Sequence, residues 1–226
     1  VGAYAIIGSG VSIDTGTQIG PHVVIKGPTR IGKNNRIFQF TSIGEDPQDK
    51  KYQGEQTSLE IGDDNVIREY ATLHRGTIQD KGITMVGSSN LLMAYTHVAH
   101  DCVIGNHVIM ANGASLAGHV RVDDHAILGG FTLVHQFCKI GRFSFSGMGS
   151  IISRDVLPYV LIGGTPTKPR GINNVGLERH GYNADTIRQI RKAYKIIYKS
   201  GLKLDEALHK LREMSEDISE LCCMVE

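Results

Sequence analysis

An aliphatic residue recurs at every sixth position through almost three-quarters of the chain. A period of six fits neither the 3.6-residue turn of a helix nor the two-residue alternation of a strand, and it is typical of a hexapeptide repeat. These anchor residues are apolar except for Ser146, and they are Val1, Ile7, Ile13, Ile19, Ile25, Ile31, Ile37, Ile43, Ile61, Ile67, Leu73, Val86, Leu92, Val98, Ile104, Met110, Leu116, Val122, Leu128, Val134, Ile140, Ser146 and Ile152.

The period predicts an all-β fold built from stacked triangular coils. Three hexads make one coil of 18 residues, with one short strand and one inward anchor on each side. Coils stack at the strand spacing of ~4.8 Å, so the anchors form three apolar columns that no single coil could bury. The pattern resembles the left-handed parallel β-helix, a known exception to right-handed crossovers.

The repeat is interrupted twice before it ends. Residues 45–60 are polar, and since Ile43 and Ile61 are still 18 positions apart, we expect a protruding loop that replaces two anchors. Leu73 and Val86 are 13 positions apart rather than 12, which predicts a one-residue bulge within 74–85.

Beyond Ile152 a Pro/Gly-rich stretch leads into helical periodicity. Asn183 is a suitable N-cap and Gly201 a suitable stop for one helix, and a second is predicted over about 205–215. We therefore predict a β-helix domain over 1–157, a linker over 158–182 and a C-terminal helical domain over 183–226.

Composition narrows the class of protein. A net charge of +1 gives no general attraction to nucleic acid, and no apolar stretch of 18 residues exists to insert stably in a membrane. The four cysteines lack CxxC spacing, which predicts free thiols and a cytoplasmic protein. The chain begins in phase with the repeat and without Met, so we expect a further coil before Val1.

Four of the ten histidines should cluster on one edge of the β-helix. Asp101 and His119 are also 18 positions apart, so they should stack on neighbouring coils. The cluster should span about two coil spacings, ~10 Å. Anchors one coil apart share a side of the triangle, and the histidines beside three such anchors are His97 and His100 at Val98, His119 near Leu116 and His135 at Val134.

Several kinds of chemistry fit such a cluster. It could be a hydrogen-bonded polar edge, although four imidazoles beside an aspartate favour a functional site. His97, His100 and His119 could bind zinc, as in the γ-class carbonic anhydrases, which share this fold. A histidine oriented by a carboxylate could instead act as a general base. A catalytically inactive binding protein is a further alternative.

Longer motifs resemble one family. The segments TLHRGT (72–77), NLLMAYTHVAHDC (90–102), LAGHV (116–120) and LVHQFCKIG (133–141) resemble the UDP-N-acetylglucosamine O-acyltransferases of lipid A biosynthesis. The loop SIGEDPQDKKYQGE and the tail GINNVGLERHGY resemble the same family. The resemblance covers essentially the whole chain in order.

This resemblance implies a homotrimer that transfers an (R)-3-hydroxyacyl group from acyl carrier protein to the 3-hydroxyl of UDP-N-acetylglucosamine, without a metal or cofactor. His100 would be the general base, Asp101 its carboxylate neighbour and the Gly118 N–H an oxyanion donor. The implied substrate contacts are Gln48, Asp49, Lys51, His74, His97, His119, His135, Gln136, Met148, Asn173 and Arg179.

Three features bear on specificity. Val175 and His180 stand where the family commonly has an acidic residue and an arginine, which affects the nucleotide contacts. Met148 matches the floor of the acyl channel, so we expect a donor of about ten carbons rather than fourteen, because each excluded methylene costs ~0.8 kcal/mol of burial. The basic residues of the first C-terminal helix form either a solvated face or a docking site for the carrier protein, and they are Arg188, Arg191, Lys192, Lys195 and Lys199.

Overall fold

The structure is a computed structural model and describes residues 1–225. The regular structure of residues 6–172 consists of short strands. In chain order they are β1 Ile6–Ile7, β2 Val11–Ile13, β3 Gln18–Ile19, β4 Val24–Ile25, β5 Thr29–Ile31, β6 Arg36–Ile37, β7 Ser42–Glu45, β8 Ser58–Ile61, β9 Val66–Ile67, β10 Thr72–His74, β11 Ile83–Val86, β12 Leu91–Leu92, β13 His97–Val98, β14 Val103–Ile104, β15 Ile109–Met110, β16 Ser115–Leu116, β17 Arg121–Val122, β18 Ile127–Leu128, β19 Leu133–Val134, β20 Lys139–Ile140, β21 Phe145–Ser146, β22 Ile151–Ile152, β23 Val160–Gly163 and β24 Lys168–Ile172.

The strands form three sheets, which are the sides of a triangular prism. Sheet A runs β1-β4-β7-β10-β13-β16-β19-β22, sheet B runs β2-β5-β8-β11-β14-β17-β20, and sheet C runs β3-β6-β9-β12-β15-β18-β21-β23-β24. Pairing is parallel from coil to coil, with Val98 opposite Leu116 and Leu116 opposite Val134. The predicted parallel β-helix and the shared side of these three anchors are therefore confirmed.

The anchors fill the prism. Ile25, Ile31 and Leu116 are fully buried, as is most of each column, whereas Val1 and Ile7 at the open first coil are 85% and 41% exposed. Ser146, the polar anchor, is buried too. Its hydroxyl hydrogen-bonds to Thr132 Oγ1 at 2.8 Å and accepts from the Gly129 N–H at 3.0 Å, so the polar group is satisfied inside the core.

The two interruptions differ from their prediction. Ile43 pairs with Leu73 in sheet A, whereas Ile61 lies in sheet B. The polar loop therefore replaces no anchors; it is an insertion between β7 and β8. Val86 pairs with Ile61 in sheet B, so the second interruption also inserts residues, between β10 and β11, rather than adding a one-residue bulge. The number of residues between two anchors does not show which sheet the second anchor joins. Both predictions were wrong for this reason.

Residues 158–182 contain regular structure in addition to connecting segments. Here β23 extends sheet C by pairing in parallel with β21, and β24 returns antiparallel to it, so the Pro/Gly-rich composition marks the turn of a hairpin. Helix α1 follows over Asn174–Arg179, with the Asn173 side chain accepting from the Gly176 N–H. The division of the chain into domains stays a prediction.

The tail forms helix α2 over Ala184–Lys199, helix α3 over Leu204–Asp217 and a 3-10 helix over Ser219–Met224. The predicted N-cap is confirmed, since Asn183 Oδ1 accepts from the Thr186 N–H at 2.8 Å, and α3 is slightly longer than its prediction. Tyr159 donates to the Glu220 carbonyl at 2.8 Å, which joins the tail to the last coil. No helix within residues 1–225 has the length and apolarity to cross a bilayer.

The prism has three corners, named here by the sheets that they join. The A–B corner contains Asp101 and His119, the B–C corner contains His125 and Phe143, and the C–A corner contains Phe131 and Met148. Both insertions leave from the A–B corner, because each follows a strand of sheet A and precedes one of sheet B.

Candidate active site

Asp101 and His119 occupy equivalent places on neighbouring coils of the A–B corner, as the 18-residue spacing predicts. Their φ angles are 59° and 64°, the left-handed conformation that turns the chain sharply at the corner. The His119 N–H donates to the His100 carbonyl at 3.0 Å, which locks the two turns together. The imidazoles of His100 and His119 meet edge to face, 5.1 Å apart.

His100 is held by a buried carboxylate. Its Nδ1 lies 2.8 Å from Asp101 Oδ2, and the Asp101 side chain is 1% exposed. Thr77 donates to Asp101 twice, from its N–H at 2.9 Å and from its hydroxyl at 2.6 Å. Because an ionised carboxylate only accepts, the His100 proton resides on Nδ1 and Nε2 keeps its lone pair.

Gly118 lies directly against His100. A Cβ atom at this position would be 2.5 Å from Cε1 and 2.7 Å from Nε2 of His100, so only glycine fits without displacing the ring. The Gly118 N–H has no acceptor among the described residues, as is also true at the matching position of neighbouring coils. At Gly118 this free donor belongs to the residue that packs against the His100 ring.

His119 is fixed on three sides. Its Nδ1 lies 3.0 Å from Asp80 Oδ2 and 3.9 Å from Asp101 Oδ2. The Phe137 ring stacks on it at 4.5 Å and 9°, and the His100 ring meets it edge-on. The Nε2 atom has no partner within residues 1–225.

His74 and His97 form a second pair, with ring centroids 5.2 Å apart. His74 Nδ1 donates to the Asp46 carbonyl at 2.6 Å, and His97 Nδ1 shares a 2.7 Å hydrogen bond with the Thr72 hydroxyl. Burial, reinforced by His74 and His100, lowers the pKa of His97 to about 4, so this ring is neutral at pH 7.

The polar insertion bends back over the corner. The buried Arg75 guanidinium donates to the Gly44 carbonyl, to Asp46 Oδ1 and to the Tyr52 hydroxyl. These contacts fix the base of the loop, while Asp49 Oδ1 accepts from the Lys51 N–H at 2.9 Å within it.

An open cavity of about 870 Å³ lies between the loop and the corner. Six of the residues predicted for the site line it. The full lining is Gln48, Asp49, Lys50, Lys51, Gln79, Asp80, His100, His119, Gln136 and Phe137. His135 is exposed on the same corner, with Nδ1 3.2 Å from the Gln136 carbonyl, but its ring contacts no other histidine of the cluster within the described chain.

The remaining predicted residues lie elsewhere. Asn173 is buried at the B–C corner, where its side-chain amide donates to the Phe143 carbonyl at 3.0 Å. Arg179 ends the short helix that packs there, since His180 contacts His125 edge-on at 4.8 Å. Met148, 80% exposed, lies at the C–A corner. One chain therefore does not bring these three residues to the histidine cavity.

A possible metal site and the state of the thiols also bear on the chemistry of this corner. One ligand atom from each of His100, Asp101 and His119 lies within 4.8 Å of the others, so this group could hold a metal ion. Cys102, Cys138 and Cys222 are free thiols as predicted, and burial raises the pKa of Cys102 to about 12, which keeps this thiol protonated and unreactive.

Sequence reasoning missed several residues of the site, among them Arg75, Thr77 and Asp80. All three belong to the insertion between β10 and β11. Placing both insertions on the corner that carries the histidines would have suggested them.

Family models match two parts of the chain. Residues 155–226 match "Udp N-acetylglucosamine O-acyltransferase; Domain 2", and residues 83–118 match the bacterial transferase hexapeptide repeat.

Sequence relatives and solved structures agree with these matches. The acyl-[acyl-carrier-protein]–UDP-N-acetylglucosamine O-acyltransferase of Stutzerimonas stutzeri is 54% identical over 98% of this chain and 86% of its own length. LpxA from Acinetobacter baumannii superposes with a TM-score of 0.97 at 49% identity, covering 99% of this chain and 87% of that one. The Francisella novicida UDP-N-acetylglucosamine acyltransferase gives 0.92 at 38% identity, covering 98% and 88%. Together with the match to the hexapeptide-repeat family model, these similarities support a left-handed β-helix. The chain belongs to the UDP-N-acetylglucosamine O-acyltransferase family.

Proposed function

We propose that the protein transfers an (R)-3-hydroxyacyl group from acyl carrier protein to the 3-hydroxyl of UDP-N-acetylglucosamine, the first step of lipid A biosynthesis. The relatives' names support the acyl donor and the acceptor. The observation that carries the chemistry is His100, which keeps a basic Nε2 beside the free N–H of Gly118.

In the proposed mechanism the sugar hydroxyl attacks the thioester carbon while His100 Nε2 takes its proton. The Gly118 N–H stabilises the oxyanion, a contribution typically worth ~3 kcal/mol for one donor. Collapse of the tetrahedral intermediate breaks the C–S bond and releases the carrier thiolate, which accepts the proton that His100 took from the sugar and so restores the base. No enzyme nucleophile is needed, in keeping with the protonated Cys102 thiol.

The sugar is proposed to bind between the A–B corner and the polar loop. The neutral His97 ring, which lies beside His74, can exchange hydrogen bonds with the sugar hydroxyls. Asp49, Lys51 and Gln48 of the loop face the same cavity and would contact the sugar nucleotide. Gln136 and His135 would line its far side.

The acyl chain is proposed to lie on the outer face of sheet A. Outward positions in register there are His97, Ser115, Leu133 and Ile151, so the face changes from polar to apolar away from the site. Leu133 and Ile151 are 49% and 66% exposed, an apolar surface that needs a partner. Met148 borders it at the C–A corner.

The position of the nucleotide residues supports a homotrimer. Asn173 and Arg179 lie at a different corner from His100, so contact of all three with one UDP-N-acetylglucosamine requires a second copy of the chain. We propose that neighbouring subunits pair the A–B corner of one with the B–C corner of the next. A closed cyclic trimer makes three such sites.

The donor is proposed to dock through α2. Arg188, Arg191, Lys192, Lys195 and Lys199 are all exposed, and an acidic carrier protein would meet a basic face. Two of them have local partners: Arg188 pairs with Asp185, and Arg191 donates to Asn174 of α1. The reaction is proposed to take place in the cytoplasm, without membrane insertion or nucleic acid.

Turnover by the purified chain tests this function. UDP-N-acetylglucosamine and a mixture of hydroxyacyl carrier proteins should yield an O-acylated product, identified by mass spectrometry. His100→Ala should reduce the rate by ~10²–10⁴, the usual effect of losing a general base. His209→Ala, exposed on α3, is the matched control and should be near wild type.

Two outcomes would overturn the proposal. A His100→Ala rate within threefold of wild type would exclude this base. One zinc per chain, lost together with activity on chelation, would favour the zinc-enzyme alternative.

A further inference from the structure

The insertion between β10 and β11 supports both reactive histidines. Thr77, at its start, donates twice to Asp101, which holds His100. Asp80, three residues later, contacts His119 directly at 3.0 Å. The loop closes on itself, since Asp80 and Gly82 both donate through their N–H groups to the Thr77 carbonyl, at 3.3 and 3.0 Å. One short loop thus provides a carboxylate to His119 and anchors the carboxylate of His100.

The contact determines which nitrogen of His119 is available. An ionised carboxylate accepts only, so Asp80 keeps a proton on Nδ1 and leaves Nε2 to the cavity that both residues line. The stacked Phe137 fixes the plane of the ring, and Asp80 fixes its rotation within that plane. Without Asp80, the ring could turn over and present the wrong nitrogen.

We propose that Asp80 is a positioning residue for the acyl transfer, which holds His119 so that Nε2 meets the thioester oxygen beside the Gly118 N–H. The inference rests on the proposed function. For this contact Nε2 must carry a proton, so the acting ring donates through Nδ1 to Asp80 and through Nε2 to the developing oxyanion. In this role Asp80 acts through His119.

A double-mutant cycle tests the proposal with (R)-3-hydroxydecanoyl carrier protein as donor. Asp80→Ala should lower kcat by about tenfold to a hundredfold, less than the ~10²–10³ for loss of an oxyanion donor. The KM for UDP-N-acetylglucosamine should change less than twofold. In a His119→Ala background the same substitution should have almost no further effect, because the two residues act as one unit.

Three controls separate positioning from loop folding. Lys81→Ala, on the same loop and outside the cavity lining, should be near wild type. Asp80→Glu should recover part of the rate, and thermal melting of Asp80→Ala should match wild type. Additive losses in the double mutant, or an unchanged kcat in Asp80→Ala, would overturn the proposal. An inactive wild-type protein would instead refute the proposed function.

Discussion

Four histidines at the A–B corner are oriented through the same ring atom. Nδ1 of His100 and His119 meets carboxylates, Nδ1 of His74 meets a backbone carbonyl, and Nδ1 of His97 meets a hydroxyl. Each ring therefore leaves Nε2 for a ligand. The different partners also separate their chemistry, because Nδ1 of His100 faces a buried carboxylate whereas Nδ1 of His97 faces a hydroxyl.

The neutral His97 makes stability depend on pH. Its pKa is about 4 when folded, against 6.5 for a free histidine, so between these values the unfolded chain binds a proton that the folded chain does not. This stability is fully present above pH 6.5 and is lost as pH falls toward 4. At ~1.36 kcal/mol per pKa unit, discounted for partial exposure, about 1–3 kcal/mol is expected.

Thermal melts of wild type and His97→Gln at pH 7.5 and 4.5 measure this effect. The variant should lose less stability on acidification than wild type, and His22→Gln, at an exposed position of the C–A corner, should behave as wild type. Equal losses in all three proteins would mean that His97 does not carry the effect.

Met148 should limit acyl length. Its side chain lies over Gly130, within 3.8 Å of where a Cβ there would be, at the end of the apolar face of sheet A. Each coil adds ~4.8 Å, about four methylenes, so a blocked corner excludes several methylenes. Met148→Ala and Met148→Gly should shift the preference from about ten carbons toward fourteen, measured as kcat/KM across a donor series. Met85→Ala, on sheet B, is the control; an unchanged profile in both Met148 variants would locate the ruler elsewhere.

At the scale of secondary-structure elements, helix α2 has one face that packs in the core and an opposite face that is available for recognition. One face buries Ile187, Ile190, Ala193 and Tyr194 against the remainder of the tail and the hairpin strand β24. The opposite face carries exposed basic residues, and a rim charge of this kind changes association more than chemistry.

Charge reversal on this face should weaken use of the carrier-bound donor. Lys195→Glu with Lys199→Glu avoids the Arg191 contact to α1 and should raise the KM for acyl carrier protein about tenfold at low salt, with the difference shrinking as salt screens the charges. Lys210→Glu on α3 is the matched control. A pantetheine thioester of the same acyl group should be used equally by all variants, and an equal loss with both donors would show a general defect.

The sequence predicts regular elements well and insertions poorly. Inward anchors such as Leu116 and Val134 repeat strictly, so their columns and the stacking of Asp101 on His119 follow from counting. The loop contacts do not, because Asp80 and Arg75 lie outside the hexads and their partners are 39 and 23–31 residues away. Strand pairing also showed that the 18 positions from Ile43 to Ile61 contain an insertion. Spacing alone could not distinguish this insertion from the replacement of two anchors.

At the scale of the whole molecule, the residues of the proposed site lie at different corners of the triangular prism. His100 stands at the A–B corner, and Arg179 ends a helix packed on the B–C corner. The parallel β-helix is rigid along its length because every coil pairs with the next. Bending of one chain therefore does not bring these two corners together. A neighbouring copy, in contrast, can present its B–C corner to the A–B corner without any internal change.

This geometry predicts complementation between two inactive variants. His100→Ala lacks the base and Arg179→Ala lacks the nucleotide contact, so each homotrimer should be weakly active. In a mixed trimer one interface joins an intact His100 to an intact Arg179 of the neighbour. Random mixing at equal amounts gives mixed trimers about three times in four, each with one good site of three, so roughly a quarter of wild-type activity should return. Co-expression with two affinity tags and a transfer assay measures it. Mixing the folded homotrimers without exchange is the control, and no recovery in isolated mixed trimers would mean that both residues serve the same chain or that Arg179 is not in the site.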